Sequence, residues 1–169
     1  VPVPLAAPLM FGGMERHLEH LARVAESAEP AALITSPRIA TALAAAPALR
    51  ARVPRVVVPD DLVALGAAHV PTPSVDGTTT AFLQYTSGTT GRPKGVVISH
   101  GAIVANASAI ATGLAIGADD VGVSRLPPFH DMGLVGALLT TLCHPYPLHV
   151  LPPERFIMRP RAWLDLMST

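Results

Sequence analysis

Apolar positions recur at helical spacing near the start of the chain. Met14, Leu18, Leu21, Ala25 and Ala28 fall on one face, with Glu15, Arg16, Glu19, Arg23 and Glu26 between them. This predicts an amphipathic helix that ends before Pro30. Residues 31–35 read as a short buried strand. Ser36 followed by Pro37 is a cap with proline in the first turn, opening a helix to about Ala46. Residues 55–58 form a β-branched strand closed by Pro59. Residues 70–79 (VPTPSVDGTT) read as a surface connection inside a domain. Residues 80–85 and 96–99 read as strands. Ile103, Val104, Ala107, Ile110, Ala111 and Leu114 mark one face of a helix over about 100–114. A strand at 121–126 precedes a nearly all-apolar helix at 131–142, expected to be buried on most sides. A strand at 148–151 and a helix at 160–167 follow. Short β runs alternating with helical patterns, and no repeat at a solenoid period, predict an α/β fold: layered βαβ units on a largely parallel sheet.

Half of the 169 residues are hydrophobic and 14% are charged, which excludes disorder and implies a substantial core. The formal net charge is zero, with Lys and Arg scattered. That leaves no electrostatic footprint for nucleic acid or an anionic membrane. The longest clean apolar run, 132–139, is well short of a membrane span of roughly 20 residues. Cys143 is the single cysteine. It permits no intrachain disulfide and no zinc site of its own, and it suits a reducing, cytoplasmic setting. The opening residues lack a basic leader, and Pro2, Pro4 and Pro8 interrupt them. The chain starts at Val1 rather than methionine, so its ends are expected to be cut from something longer.

Residues 80–100 (TAFLQYTSGTTGRPKGVVISH) carry the chemistry. Glycines allow positive φ and close backbone approach to a ligand. Thr86, Ser87, Thr89 and Thr90 offer hydroxyls, and Lys94 adds a flexible cation. Successive N–H groups in such a turn make an anion-binding nest, and two flanking strands would hold its base. The P-loop of NTPases is a poor match. Two residues, not four, separate Gly88 from Gly91, Pro93 precedes Lys94, and a strand rather than a helix follows. The bland alternative is a glycine-rich hairpin that binds nothing, but a loop of this composition is long for one.

Tyr85-Thr-Ser-Gly-Thr-Thr-Gly-Arg-Pro-Lys-Gly95 resembles, residue for residue, the phosphate loop of the adenylate-forming superfamily. That superfamily includes acyl-CoA synthetases, fatty acyl-AMP ligases, peptide-synthetase adenylation domains and luciferases. Ser99-His100 through Asn106 fits the His and Asn that follow the loop there, with His100 read as packing the turn. Leu126-Pro-Pro-Phe-His130-Asp-Met-Gly-Leu134 is similar to a second motif of acyl-CoA synthetases and fatty acyl-AMP ligases. Residues 156–168 (FIMRPRAWLDLMS), with Val1-Pro-Val-Pro4, lean toward the fatty acyl-AMP ligase branch. The full phosphate loop is instead the acyl-CoA synthetase form.

The resemblance implies ATP and Mg²⁺ as cofactors, with Thr86, Ser87, Gly88, Thr89, Thr90, Gly91 and Lys94 at the phosphates. It implies His130 as a gate beside the reacting carboxylate, and Asp131 as a helix cap. No protein metal ligand is assigned, and the remaining histidines lack metal-ligand spacing. The implied reaction is attack of a carboxylic, preferably fatty, acid on ATP to give acyl-adenylate and pyrophosphate. Transfer to the thiol of CoA or of a phosphopantetheinyl carrier protein follows. Residues 1–169 would be part of one AMP-binding domain, about a third of a family member, without the C-terminal subdomain. Such a piece is expected to be inactive and marginally folded alone. Two other readings stay open: an amino-acid-activating domain of a peptide synthetase, which needs an Asp in its pocket, and a non-catalytic nucleotide-binding module.

Overall fold

The computed structural model describes residues 1–6, 8, 13–64, 66, 71–86 and 93–168. The chain divides into two compact units. One comprises Ala7–Ser74 and Tyr85–Val96, the other Val1–Ala6, Val75–Gln84 and Val97–Thr169.

The first unit opens with α1 (Met14–Ala28), which buries Leu21, Val24 and Ala25. Glu29 ends it in the left-handed region at φ 45°, its N–H bonded to the Ala25 carbonyl at 3.0 Å. β1 (Leu33–Ile34) leads to α2 (Pro37–Ala44), where the Ser36 hydroxyl accepts from Ile39 N–H. α2 stops short of the predicted end because Pro47 starts a separate turn, α3 (Pro47–Arg50). β2 (Val56–Val57) pairs parallel with β1, Leu33 opposite Val56. α2 and α3 therefore form the crossover that a parallel pair requires. α4 (Pro59–Ala64) was not foreseen. Pro59 does close the strand, but it also opens a helix with Asp60 and Asp61 in the favourable first turn.

β3 (Thr80–Thr86) and β4 (Lys94–Ser99) pair with each other. α5 (His100–Gly113) follows directly and buries Ile103, Ala107 and Ala111, whereas Val104 and Leu114 of the predicted face are exposed. β5 (Gly122–Ser124) and β6 (Leu148–Val150) pair parallel, with Val123 opposite His149. Their crossover is an eight-residue π-helix, Met132–Leu139, continued by α6 (Thr140–Cys143). α7 (Pro153–Met158) and α8 (Arg161–Met167) complete the second unit.

The architecture is thus mixed α/β, with parallel strand pairs built as βαβ units. Among the described residues the sheet consists of three two-stranded pairs. The 131–142 helix departs from expectation in two ways. Most of it is π rather than α, and it is not buried on most sides. Met132 and Leu142 are 61% and 69% exposed, and only Gly133 and Thr140 are buried. α5 and β5 pack against it, and Met132, Leu138 and Leu142 stay exposed.

Candidate active site: an apolar cavity beside His130

The two ends of the phosphate-loop motif stand on strands. Thr86 ends β3, and Lys94 begins β4 two residues before the predicted strand. Both side chains are exposed, and Lys94 has no ion pair among the described residues. Tyr85 anchors the base of the motif. Its hydroxyl donates to Ser27 Oγ at 2.9 Å, and its ring lies over Gly95. A methyl group at residue 95 would sit 3.1 Å from that ring, so glycine is the residue that fits under it. Ser87, Gly88, Thr89, Thr90 and Gly91 lie outside the described residues.

In the second unit, Gln84 of β3 donates through Nε2 to the Phe129 carbonyl at 3.3 Å. One hydrogen bond thus ties the strand leading into the phosphate motif to the residue before His130. The Phe129–His130 segment is held from other directions as well. Pro127 O accepts the His130 N–H at 3.1 Å. Gly133 packs so tightly on this turn that a Cβ there would lie 2.1 Å from Pro127 O. The Arg125 guanidinium sits over Phe156 at 4.3 Å and Trp163 at 5.6 Å, two rings that meet edge-on. Trp163 Nε1 donates to Val123 O at 3.1 Å. The Phe, Arg-Pro, Trp stretch of the sequence therefore clasps the strand that feeds the His130 turn.

His130 is 60% exposed at the mouth of the π-helix, with its Nδ1 2.5 Å from Asp131 Oδ1. The Met132 N–H points at both, at 2.7 Å from Oδ1 and 3.4 Å from Nδ1. The shorter contacts decide the assignment: Met132 N–H donates to the carboxylate, and so does His130 Nδ1–H. An imidazole carrying its one proton on Nδ1 keeps Nε2 as an acceptor. Asp131 caps the helix, but through the next residue's N–H rather than one two or three residues on.

Between α5 and the π-helix lies a cavity of about 630 Å³. Ile103, Ile110, Leu126, Met132 and Val135 give it an apolar wall, and Asn106 and Asp131 are its polar side chains. Asn106 and Asp131 are residues the sequence assigned to motif and cap. Their meeting in one cavity depends on α5 packing against the π-helix, which no local pattern reports. Size and lining fit the usual small-molecule pocket, apolar with few placed polar groups. Among the described residues no three His, Cys, Asp or Glu side chains cluster to hold a metal ion, and no helix is long and apolar enough to cross a membrane.

The described residues thus comprise parallel strand pairs built as βαβ units, the two strand-borne ends of a glycine- and hydroxyl-rich motif, and, in the second unit, an apolar cavity. The chain belongs to the AMP-binding enzyme family, whose model matches residues 11–169. It is 34% identical over 168 residues to a long-chain-fatty-acid–AMP ligase of Mycolicibacterium smegmatis, covering 95% of this chain and 26% of that protein. It is 43% identical over 96 residues to a medium-chain-fatty-acid–[acyl-carrier-protein] ligase of Teredinibacter turnerae, covering 57% of this chain and 15% of that protein. A solved structure from studies of fatty acyl-adenylate ligases of E. coli and L. pneumophila superposes with a TM-score of 0.88 at 36% identity, over 98% of this chain and 30% of that one. The chain thus spans about a quarter of the length of the long-chain relative.

Proposed function

We propose that the full-length protein activates a fatty acid with ATP, forming acyl-adenylate and pyrophosphate, and passes the acyl group to a thiol. Residues 1–169 would supply one part of a single adenylation domain. The observation that carries this reading is the apolar cavity beginning at Asp131 and Met132, one residue from His130. An alkyl chain gains by leaving water for such a wall. The names of the fatty-acid relatives support the same substrate class.

Within that reading, the acid's chain occupies the cavity and its carboxylate lies toward His130. The Thr86, Ser87, Thr89 and Thr90 hydroxyls, the Gly88 and Gly91 backbone and the Lys94 ammonium hold the β- and γ-phosphates. They stabilise charge on the departing pyrophosphate, the usual role of preorganised donors. Mg²⁺ would enter with the nucleotide, bound largely through phosphate oxygens and water. The described residues offer it no carboxylate cluster. The His130 imidazole, oriented by Asp131, gates the junction between acid and acceptor. The carrier-protein relative supports a phosphopantetheine thiol as acceptor, with CoA as the other candidate. The single cysteine supports a cytoplasmic site of action.

A second reading, amino-acid activation, draws on one observation: Asp131 lies in the cavity wall and offers a carboxylate to a substrate ammonium. Its Oδ1 is already engaged by His130 and Met132 N–H, which favours the fatty acid. Pyrophosphate exchange by the full-length protein separates the two. Exchange dependent on fatty acids, with acyl-adenylate seen by mass spectrometry, supports the first reading. Exchange dependent only on amino acids replaces it with the second. Nucleotide binding with no exchange for either class leaves the non-catalytic module.

A further inference from the structure

We propose that Thr140 is a positioning residue: its buried hydroxyl holds the helix along the cavity in π register, and that register sets how long an acid the cavity admits. The inference rests on the reading of the cavity as the seat of the acid.

Threonine hydroxyls in helices ordinarily bond the carbonyl three or four residues back. Thr141 does so, to Ala137 O at 2.8 Å. Thr140 instead reaches five residues back, to Val135 O at 2.7 Å, and its own N–H is shared between that carbonyl and Ala137 O. Five residues is the π spacing. Thr140 is 0% exposed, so its hydroxyl has no water to fall back on and must keep a protein partner. At the other end of the stretch Gly133 is pinned against Pro127 O, where no side chain fits. The six residues between the pins therefore cannot rotate as a body.

The register decides what faces the cavity. The π-helix presents Met132, Val135, Gly136 and Ala137 to it. An α-helix through Met132 and Val135 would present the residue four beyond Val135, which is Leu139, in place of Ala137. With the Thr140 pin removed and the Gly133 pin kept, the carboxy-terminal half relaxes toward the commoner α register. Leu139 then swings into the cavity and shortens it. Gly136, whose Cβ would meet nothing within 4 Å, leaves that space open.

The test is Thr140→Val in the full-length protein, an isosteric change that removes only the hydroxyl, with Thr140→Ser as the conservative control and Thr140→Ala as a second hydroxyl-less variant should valine misfold. Crystal structures report the register, and kcat/KM over a series of saturated acids reports the cavity. Thr140→Val is expected to show α register. Its kcat/KM for the longest acid used well should fall about tenfold, the scale of a small misfit in an apolar pocket, with the shortest acid unaffected. Thr140→Ser should behave as wild type, and adding Leu139→Ala to Thr140→Val should restore the long acid. A π-helix retained in the hydroxyl-less variants overturns the proposal, as does an α-helix with an unchanged acid profile. If the wild-type protein activates no fatty acid, the functional reading fails, but the crystallographic register still decides the role of Thr140.

Discussion

Gly133 has no room for a methyl group, and Gly136, three residues on, has ample room. The same residue type thus does opposite things on one helix. Gly133→Ala is expected to cost about 1–3 kcal/mol, the range for forcing a methylene into a closed site. It should also shift the Pro127 carbonyl that accepts the His130 N–H. Gly136→Ala should stay within about 1 kcal/mol of wild type, since only backbone freedom changes. Denaturant midpoints of the pair check this, and equal losses would contradict it. His17 and His20 make a second residue-scale prediction. Burial holds both below the ordinary 6.5, with His20 further lowering His17 and Arg23 further lowering His20. The neutral rings are the ones the fold prefers. Their contribution is complete above pH 6.5 and shrinks as pH falls through 6.5 toward the folded-state values. Stability should therefore decline in that window, and His17→Gln with His20→Gln should flatten the decline. A profile unchanged by the double substitution would contradict the assignment.

At the scale of elements, the start of α5 shows how a loop read only as a connection can earn a structural role. Asp76 Oδ1 accepts from the N–H and the hydroxyl of both Thr78 and Thr79, at 2.7–3.0 Å. These bonds pull its pKa from 3.8 down to about 2. The turn so fixed accepts two orphan N–H groups of α5, His100 through Thr79 O at 3.0 Å and Gly101 through Gly77 O at 2.8 Å. Ser99 Oγ accepts a third, from Ala102. The turn's contribution is present above pH 3.8 and lost as pH falls toward 2. Asp76→Ala should speed amide exchange at His100 and Gly101 with little change at Ala107. Protection equal to wild type would sink the link. The Pro-, Ser-, Thr- and Gly-rich composition of residues 70–79 made the connection legible, but its partner was not, because the bond to α5 is tertiary. Likewise the apolar period located the 131–142 helix and its start. It could not report the π register, which is set by the Gly133 contact and the Thr140 hydroxyl. Leu142 and Met132 looked buried by composition and are exposed, because hydrophobicity alone does not say which faces have neighbours.

At the scale of the molecule, the motif residues are distributed between two compact units, with Thr86 and Lys94 in one and Gln84, Asn106, His130 and Asp131 in the other. The fold class could be read from the chain because βαβ alternation is local; the run of glycines and hydroxyls ending in Lys94 is equally local, but Ser87 to Gly91 of it lie outside the described residues. The cavity could not, since its wall joins α5 to a helix some thirty residues later. The central claim is that the Thr86–Lys94 motif grips the departing diphosphate. ATP–pyrophosphate exchange by the full-length protein carrying Lys94→Ala, with Thr89→Ala alongside, tests it most directly. The account predicts a fall of ~10²-fold or more in kcat for Lys94→Ala with the acid's affinity retained, as for loss of one preorganised charge-stabilising donor. Exchange at wild-type rates in both variants would contradict it.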